Sequence, residues 1–394
     1  MGHTESKDEL APETKPEVKE EESLNGVLRE LRALQTQPTN HLIADRSCVL
    51  ENAFSYFKSG KSELSPLEVS MVTSGYSEHA KEQGGPMREF FSLFFKEVLR
   101  KDIDMFEGQD HGQQLFPVNN ARAIENHWFH ALGKAIVVST MSGGPGFPYL
   151  APIVVQYLRG LECEHDLNIS MVQNMLLRQL IKRINNAADG DQLQDAVDSD
   201  VERYIDNCGW PRPNMITISN RLELTQYLLK WEILSKRFAA LEQLKHGLNT
   251  LQFLDKTRDL HEVEKILQAE NGDHATAEYL KESLTKEIGR LNPRSERETN
   301  AKDFTLKCLP ANKRHSEAVS LFHFITGMSS LPVNGIPLEV EFNRVDPSSE
   351  LPQAITCIQR LRIPLGNETA IAFYSSFHKA LTHGQYGFGR SERS

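Results

Sequence analysis

One cysteine near the C-terminal end of the sequence has the best surroundings for chemistry. Cys357 follows the segment 351–356, Leu-Pro-Gln-Ala-Ile-Thr, and precedes the apolar segment 361–364, Leu-Arg-Ile-Pro. This pattern predicts a short polar loop between two strands, where a partner molecule can reach the thiol. The thiolate form of cysteine attacks thioesters and disulfides. The sequence therefore predicts a nucleophile at Cys357.

The remaining cysteines carry no comparable signal. The chain has five cysteines, which lie far apart and form no Cys-x-x-Cys pair, so neither a zinc site nor a disulfide framework is predicted. This usage is typical of a reducing compartment. We expect the other four to be inert; they are Cys48, Cys163, Cys208 and Cys308.

Two histidine pairs could take part in a metal site or a second kind of cysteine site, but each signal is weaker than the one around Cys357. His127 and His130 have the spacing of neighbours on a helix, but no third metal ligand is evident nearby, so helix packing is favoured. His378 and His383 could approach Cys357 in a protease-like arrangement, but no orienting Asn or Asp motif supports it. No metal or organic cofactor is predicted.

Composition limits the classes of partner. The chain has 394 residues, enough for two or three compact units, and a net charge of −10, which disfavours a phosphate-binding surface and hence a nucleic-acid partner. No apolar run has the length of a membrane helix, and residues 1–6 are not followed by a signal-peptide core. We expect no membrane partner and a cytoplasmic or nuclear location.

Changes in composition divide the chain into four predicted parts. Residues 1–40 are predicted to form a disordered acidic tail that contains proline, although the spacing of Val27, Leu31 and Leu34 also fits a short helix. Residues 48–291 follow a mainly helical period, with Gly247 as one helix stop. Residues 292–300 are charged and polar and predict a flexible hinge. Residues 301–394 form a smaller mixed unit.

The smaller unit combines helix and strand signals around Cys357. Residues 316–325 predict a helix, and residues 338–342 alternate like a half-buried strand. A last helix is expected to begin after Asn367 and to stop at Gly384. Its buried face is predicted to consist of Ile371, Tyr374, Phe377 and Leu381.

Four motifs, in order along the chain, resemble those of the HECT-type ubiquitin ligase domain. Residues 84–91 read Gly-Gly-Pro-Met-Arg-Glu-Phe-Phe, and residues 132–135 read Leu-Gly-Lys-Ala. Residues 324–327 read Phe-Ile-Thr-Gly, and residues 351–357 match the family's Leu-Pro-x-Ala/Ser-His-Thr-Cys except for Ile355. The resemblance covers residues 48–394, and residues 74–79 and 227–247 are most similar to a divergent vertebrate branch.

The resemblance implies an α+β, bilobal fold and a reaction. A large, mainly helical N-lobe would recruit a ubiquitin-conjugating enzyme, and a small α/β C-lobe would carry the thiol. Cys357 would accept ubiquitin as a thioester and pass it to a lysine of a protein substrate. Thr356 would help to set the loop, and Phe388 would assist lysine transfer. Arg88 and Glu89 are expected to form a structural ion pair or a cap.

Three departures from the family pattern leave a second function open. Ile355 stands where the family usually has His, residues 389–394 extend beyond Phe388, and residues 184–218 differ from the family's usual docking subdomain for the conjugating enzyme. An imidazole that acted in acid–base catalysis would contribute about 10²-fold to the rate. The alternative is a catalytically weak or inactive HECT-like scaffold that binds ubiquitin or a conjugating enzyme.

Overall fold

A computed structural model describes most of the chain. The described residues are 23–60, 63–73, 76–77, 84–108, 114–197, 202–211, 215–268, 272–309, 315–328, 330–332 and 335–383. Within these ranges, none of the helices combines the length and the apolar character that crossing a bilayer requires.

Buried apolar side chains form two separate clusters. The first runs from Leu24 to Leu267 and the second from Leu280 to Phe377, and they define a large unit (residues 23–268) and a small unit (residues 272–383). The helices of the large unit are α1 (Leu24–Ala33), α2 (Val49–Lys58), α3 (Gly85–Val98), α4 (Ala121–Glu125), α5 (Trp128–Met141), α6 (Pro152–Leu158), α7 (Met175–Asn186), α8 (Gly190–Val197), α9 (Glu202–Asn207), α10 (Arg221–Ile233), α11 (Phe238–Leu248), α12 (Phe253–Thr257) and α13 (Glu262–Leu267). Its strands are β1 (Asn40–Asp45), β2 (Leu67–Thr73), β3 (Tyr76–Ser77), β4 (Phe106–Glu107) and β5 (Phe116–Pro117).

The small unit is a layer of helices on a short sheet. Its helices are α14 (Gly272–Gly289), α15 (Glu296–Cys308), α16 (His315–Thr326) and α17 (Ala370–His383), and its strands are β6 (Glu339–Phe342), β7 (Gln353–Ile355) and β8 (Arg360–Ile363). The sheet order is β6-β8-β7, with β8 parallel to β6 and antiparallel to β7. The α+β class is confirmed, as are the helix at 316–325 and the strand at 338–342.

The N-terminal helix contradicts a disordered tail that extends to residue 40, and it confirms the alternative of a short helix around Val27 and Leu31. The Ser23 side chain accepts a hydrogen bond from the Gly26 N–H and caps α1, whose Leu24, Val27, Leu28 and Leu31 are buried in the large cluster. An ion pair of 2.6 Å between Glu30 and Lys256 adds a tether to α12. Tertiary burial stabilises a helix that is too short to persist alone. The prediction for residues 1–22 lies outside the described residues.

A parallel strand pair precedes the helical core of the large unit. β1 and β2 pair in register from Asn40 with Leu67 to Asp45 with Val72. Leu42 and Ala44 are buried on one face while Ile43 is exposed on the other. The prediction of a mainly helical unit omitted this sheet, because β1 is short and lies next to the segment interpreted as a tail.

Two glycines allow α5 and α11 to pack backbone against backbone. A Cβ atom at Gly133 would lie 2.5 Å from the Leu248 amide nitrogen, and one at Gly247 would overlap the His130 carbonyl oxygen. Gly247 was predicted to end its helix, but α11 continues to Leu248. Its role is close approach of two helices, since a larger residue would force them apart.

The structure contradicts the predicted hinge at residues 292–300. Ser295 caps α15 by accepting the Glu298 N–H, so residues 296–300 are helical. The buried Glu298 carboxylate accepts the Arg294 N–H at 2.6 Å and two hydrogen bonds from Arg344, at 2.7 and 3.0 Å. These bonds join the segment to the small unit. The boundary between the two clusters therefore falls between Leu267 and Leu280.

The last helix begins differently from the prediction. The Thr369 hydroxyl accepts the Ala372 N–H at the start of α17, whereas the Asn367 side chain donates to the Glu350 carbonyl at 2.7 Å. Phe377 is buried together with Phe373 and Ala380, and Tyr374 and Leu381 pack partly buried against the small cluster, so the predicted face residues Tyr374, Phe377 and Leu381 are confirmed. Ile371 is 82% exposed, and its inclusion in the buried face was wrong. The predicted stop at Gly384 lies outside the described residues.

Candidate functional site

The predicted nucleophile lies in a tight turn between β7 and β8. Residues Thr356–Ile358 form a 3-10 turn, and Gln359 follows with φ 51° and ψ 43°. Ile355 before the turn pairs with Arg360 after it. The prediction of a short loop between strands is confirmed. For Cys357 the structure describes the backbone alone, and Phe388 lies outside the described residues.

Hydrogen bonds to one carbonyl oxygen hold this turn. The Thr356 carbonyl accepts the Gln359 backbone N–H at 3.4 Å and the Gln359 side-chain Nε2 at 3.1 Å. Gln359 is buried, whereas Thr356 is exposed. Thr356 thus takes part in the turn through its backbone carbonyl, and its role in setting the loop for chemistry stays a prediction.

Arg88 of the large unit reaches the same carbonyl. Its Nη2 donates to the Thr356 oxygen at 3.2 Å, across 268 residues of sequence. Glu89, for which an ion pair with Arg88 or a capping role was expected, accepts two hydrogen bonds from Arg46 at 2.6 and 3.0 Å. Sequence reasoning missed Arg88 as a neighbour of Cys357, and nothing in the spacing of the chain indicates the contact.

The glycine pair before α3 places the Arg88 guanidinium. Gly84 caps the helix with φ 75°, a left-handed conformation that glycine adopts without strain, and its carbonyl accepts the Arg88 N–H at 3.2 Å. A Cβ atom at Gly84 would lie 3.1 Å from Arg88 Nη1. The Gly-Gly-x-x-Arg motif therefore leaves room for a guanidinium that folds back over its own cap.

A half-buried imidazole lies on the small unit's side of the same interface. Burial lowers the pKa of His323 on α16, and Lys96 and Glu89 of α3 lie close enough to act on it with opposite signs. Within the described part of the chain, its buried Nδ1 has no hydrogen-bond partner. The neutral form of His323 is therefore the one that this interface accommodates.

Acidic and basic side chains alternate across β6 and β8 beside the turn. Arg360 contacts Glu339 at 2.6 Å and Glu341 at 3.3 Å, and Arg362 contacts Glu341 at 2.6 Å. Glu341 on the neighbouring strand balances the positive charge of Arg362.

Three other thiols lie in surroundings that disfavour a thiolate. Burial raises the pKa of Cys163 and Cys208, and it raises the pKa of Cys308 to about 12. Among the residues that the structure describes, no group of three His, Cys, Asp or Glu side chains is arranged to hold a metal ion. His130 packs its ring 5.1 Å from that of His246.

Comparison with known families now identifies the fold. A family model described as HECT-domain (ubiquitin-transferase) matches residues 92–391, which include the second half of α3, the rest of the large unit after it, and the small unit with the Cys357 turn. The chain belongs to the HECT family. Its large and small units correspond to the two lobes that the resemblance implied.

Individual HECT relatives are distant in sequence. The chain is 23% identical over 356 residues to a G2/M phase-specific E3 ubiquitin-protein ligase from Homo sapiens, covering 88% of this chain and 47% of that protein. A ligase of the same name from Gallus gallus is 23% identical over 323 residues, covering 80% and 42%. The E3 ubiquitin-protein ligase RSP5 of Chaetomium thermophilum is 21% identical over 353 residues, covering 82% and 40%. The chain thus spans less than half the length of these relatives.

Proposed function

We propose that this HECT chain is an E3 ubiquitin ligase that carries ubiquitin on Cys357. The observation that carries the proposal is the position of Cys357 in an ordered turn of the small unit, inside the part of the chain that matches the family. The partners are ubiquitin, a ubiquitin-conjugating enzyme and a protein substrate. We place the reaction in the cytoplasm or nucleus, because the thiol must stay reduced.

The proposed reaction has two steps. The Cys357 thiolate attacks the carbonyl carbon of the thioester between the conjugating enzyme and ubiquitin, and the thiolate of the conjugating enzyme leaves. The exchange replaces one thioester by another, so alignment of the two thiols matters more than a strong base. A lysine amine of the substrate then attacks the new thioester, loses a proton to solvent or a base, and releases the Cys357 thiolate.

A HECT-like scaffold is the second candidate, and Ile355 favours it. This half-buried side chain stands where the family has an imidazole, and it can neither accept nor donate a proton. A scaffold would bind ubiquitin or the conjugating enzyme without forming a thioester.

A thioester assay separates the two functions. The chain is incubated with ubiquitin, activating enzyme and a panel of conjugating enzymes, then separated with and without reductant. A ligase gives a ubiquitin adduct that reductant removes and that Cys357→Ala abolishes. Cys357→Ser should give an adduct that resists reductant, because an oxygen ester replaces the thioester.

Cys308→Ala is the matched control, since Cys308 is half-buried, partial burial raises the pKa of its thiol to about 12, and its removal should leave the adduct in place. Absence of an adduct with every conjugating enzyme, together with retained binding to one of them, would favour the scaffold. An adduct that persists in Cys357→Ala would assign the chemistry to another residue.

A further inference from the structure

The contact between Arg88 and the Cys357 turn links the two units at one atom. The Thr356 oxygen accepts Arg88 Nη2 from the large unit and Gln359 Nε2 from within the small unit. The same peptide unit supplies the N–H of Cys357. The guanidinium therefore binds the peptide group immediately before the cysteine.

The position of Arg88 depends on its own unit. The cap at Gly84 gives the guanidinium space, and the ion pair between Arg46 and Glu89 fixes the first turn of α3. Because these contacts belong to the large unit, Arg88 approaches Cys357 only while the two units are docked. Separation of the units would remove the guanidinium and leave the Gln359 bonds in place.

A positive charge at this place has a chemical consequence. A guanidinium stays protonated at every physiological pH, and a nearby positive charge favours a thiolate over a thiol. Ile355 provides no charge to the turn. Arg360 and Arg362, the nearest cationic residues in sequence, belong to the small unit and pair there with Glu339 and Glu341, so their positions do not depend on docking.

We propose that Arg88 is a positioning residue for Cys357, which orders the turn and brings a positive charge to the thiol when the two units dock. This inference rests on the proposed function of Cys357 and deepens it. The thiol reacts fastest in the docked arrangement and loses this advantage when the small unit moves away. The charge comes from the opposite unit, so reactivity is coupled to docking.

The test measures alkylation of Cys357 by iodoacetamide in the full chain as a function of pH. The modified peptide is quantified by mass spectrometry. Arg88→Gln should slow alkylation at neutral pH by about three- to tenfold and move the midpoint of the pH profile upward, because the neighbouring charge is lost. Arg88→Lys, which keeps the charge, should restore most of the rate.

Arg100→Gln is the matched control. Arg100 follows the end of α3, is half exposed and pairs with Glu97 and Asp102, so its removal should leave the alkylation profile unchanged. A purely structural role for Arg88 would lower the melting temperature without moving the pH midpoint, and this result would overturn the proposal. If Arg88→Gln does not fold, Arg88→Met replaces it in the same comparison.

The alkylation readout needs no ubiquitin, so the two proposals can fail separately. Thioester formation with an alkylation profile that is insensitive to Arg88 would reject the positioning role alone. An Arg88-dependent profile without a thioester would reject the ligase function alone.

Discussion

At the scale of single residues, the surroundings of each cysteine decide what its thiol can do. Cys163, Cys208 and Cys308 pack into apolar surroundings, where burial raises the pKa of each thiol. Cys357 instead lies in a turn whose backbone is hydrogen-bonded by Gln359 and Arg88. The same residue type is thus used for packing in these three places, whereas Cys357 is the one for which we propose chemistry.

This difference predicts how the native protein reacts with alkylating agents. At neutral pH, we expect Cys163, Cys208 and Cys308 to react at least about tenfold more slowly in the native protein than in denaturant, because burial disfavours their thiolates. Peptide mass spectrometry of timed samples measures each site. Equal rates in the native and denatured protein at any of the three sites would contradict the burial that the structure assigns to it.

At the scale of elements, the size of the residues at each contact sets the distance between neighbouring helices in the large unit. α5 and α11 approach through Gly133 and Gly247, while α3 presents four buried phenylalanines to its neighbours. The rigid packing of α3 matters for the site, since Arg88 is on this helix. A well-packed interior transmits a small displacement instead of absorbing it.

Substitution of either glycine at the α5–α11 contact should destabilise the large unit. Gly133→Ala and Gly247→Ala each place a Cβ atom against backbone atoms of the opposite helix. Such overpacking typically costs about 1 to 3 kcal/mol in the free energy of unfolding. Urea denaturation followed by circular dichroism measures the change.

Gly289→Ala at the end of α14 is the control, because a Cβ atom there meets nothing within 4 Å. That substitution should leave stability equal or raise it by up to about 1 kcal/mol. Unchanged stability in both Gly133→Ala and Gly247→Ala would show that the helices can separate without cost.

At the scale of the whole molecule, two separately packed units come together beside the Cys357 turn. Polar contacts between α3 and the small unit include Arg88 with Thr356 and the electrostatic influence of Lys96 and Glu89 on His323. Polar contacts between two separately packed units allow them to part without exposing either core. Docking should therefore respond to charge.

Protonation of His323 should weaken docking of the two units. Burial lowers the pKa of this imidazole from its ordinary value of 6.5, so the docked form holds it neutral. The contribution of His323 to docking is thus fully present above the ordinary pKa, and it is lost as the pH falls from there towards the lowered value. Small-angle scattering should show a larger radius of gyration on the acidic side of this window.

His323→Gln, which cannot titrate, should remove that pH dependence. His378→Gln, on α17, should retain it and serves as the matched control. A radius of gyration that changes identically with pH in the wild type and in His323→Gln would exclude His323 as the cause.

Sequence alone determined the features that depend on neighbouring residues. Alternation marked β6, the helical period marked α16, and the segments around Cys357 marked a turn between strands, all of which the structure contains. Prediction from local sequence failed where two signals in the same segment pointed to different structures. Ser295 and Glu298 have the spacing of a helix start, but the charge of residues 292–300 suggested a hinge, and the capped helix α15 is what forms there.

Only the tertiary structure decided which distant residues meet. The burial of α1, the unit boundary after Leu267 and the bond from Arg88 to Thr356 all join parts of the chain that no local pattern connects. The physical reason is that side-chain periodicity reports the face of an element, whereas the partner of that face depends on how all elements pack. The neighbours of Cys357 in sequence therefore sufficed to predict a nucleophile, whereas only the fold brings Arg88 to the carbonyl of the residue before it.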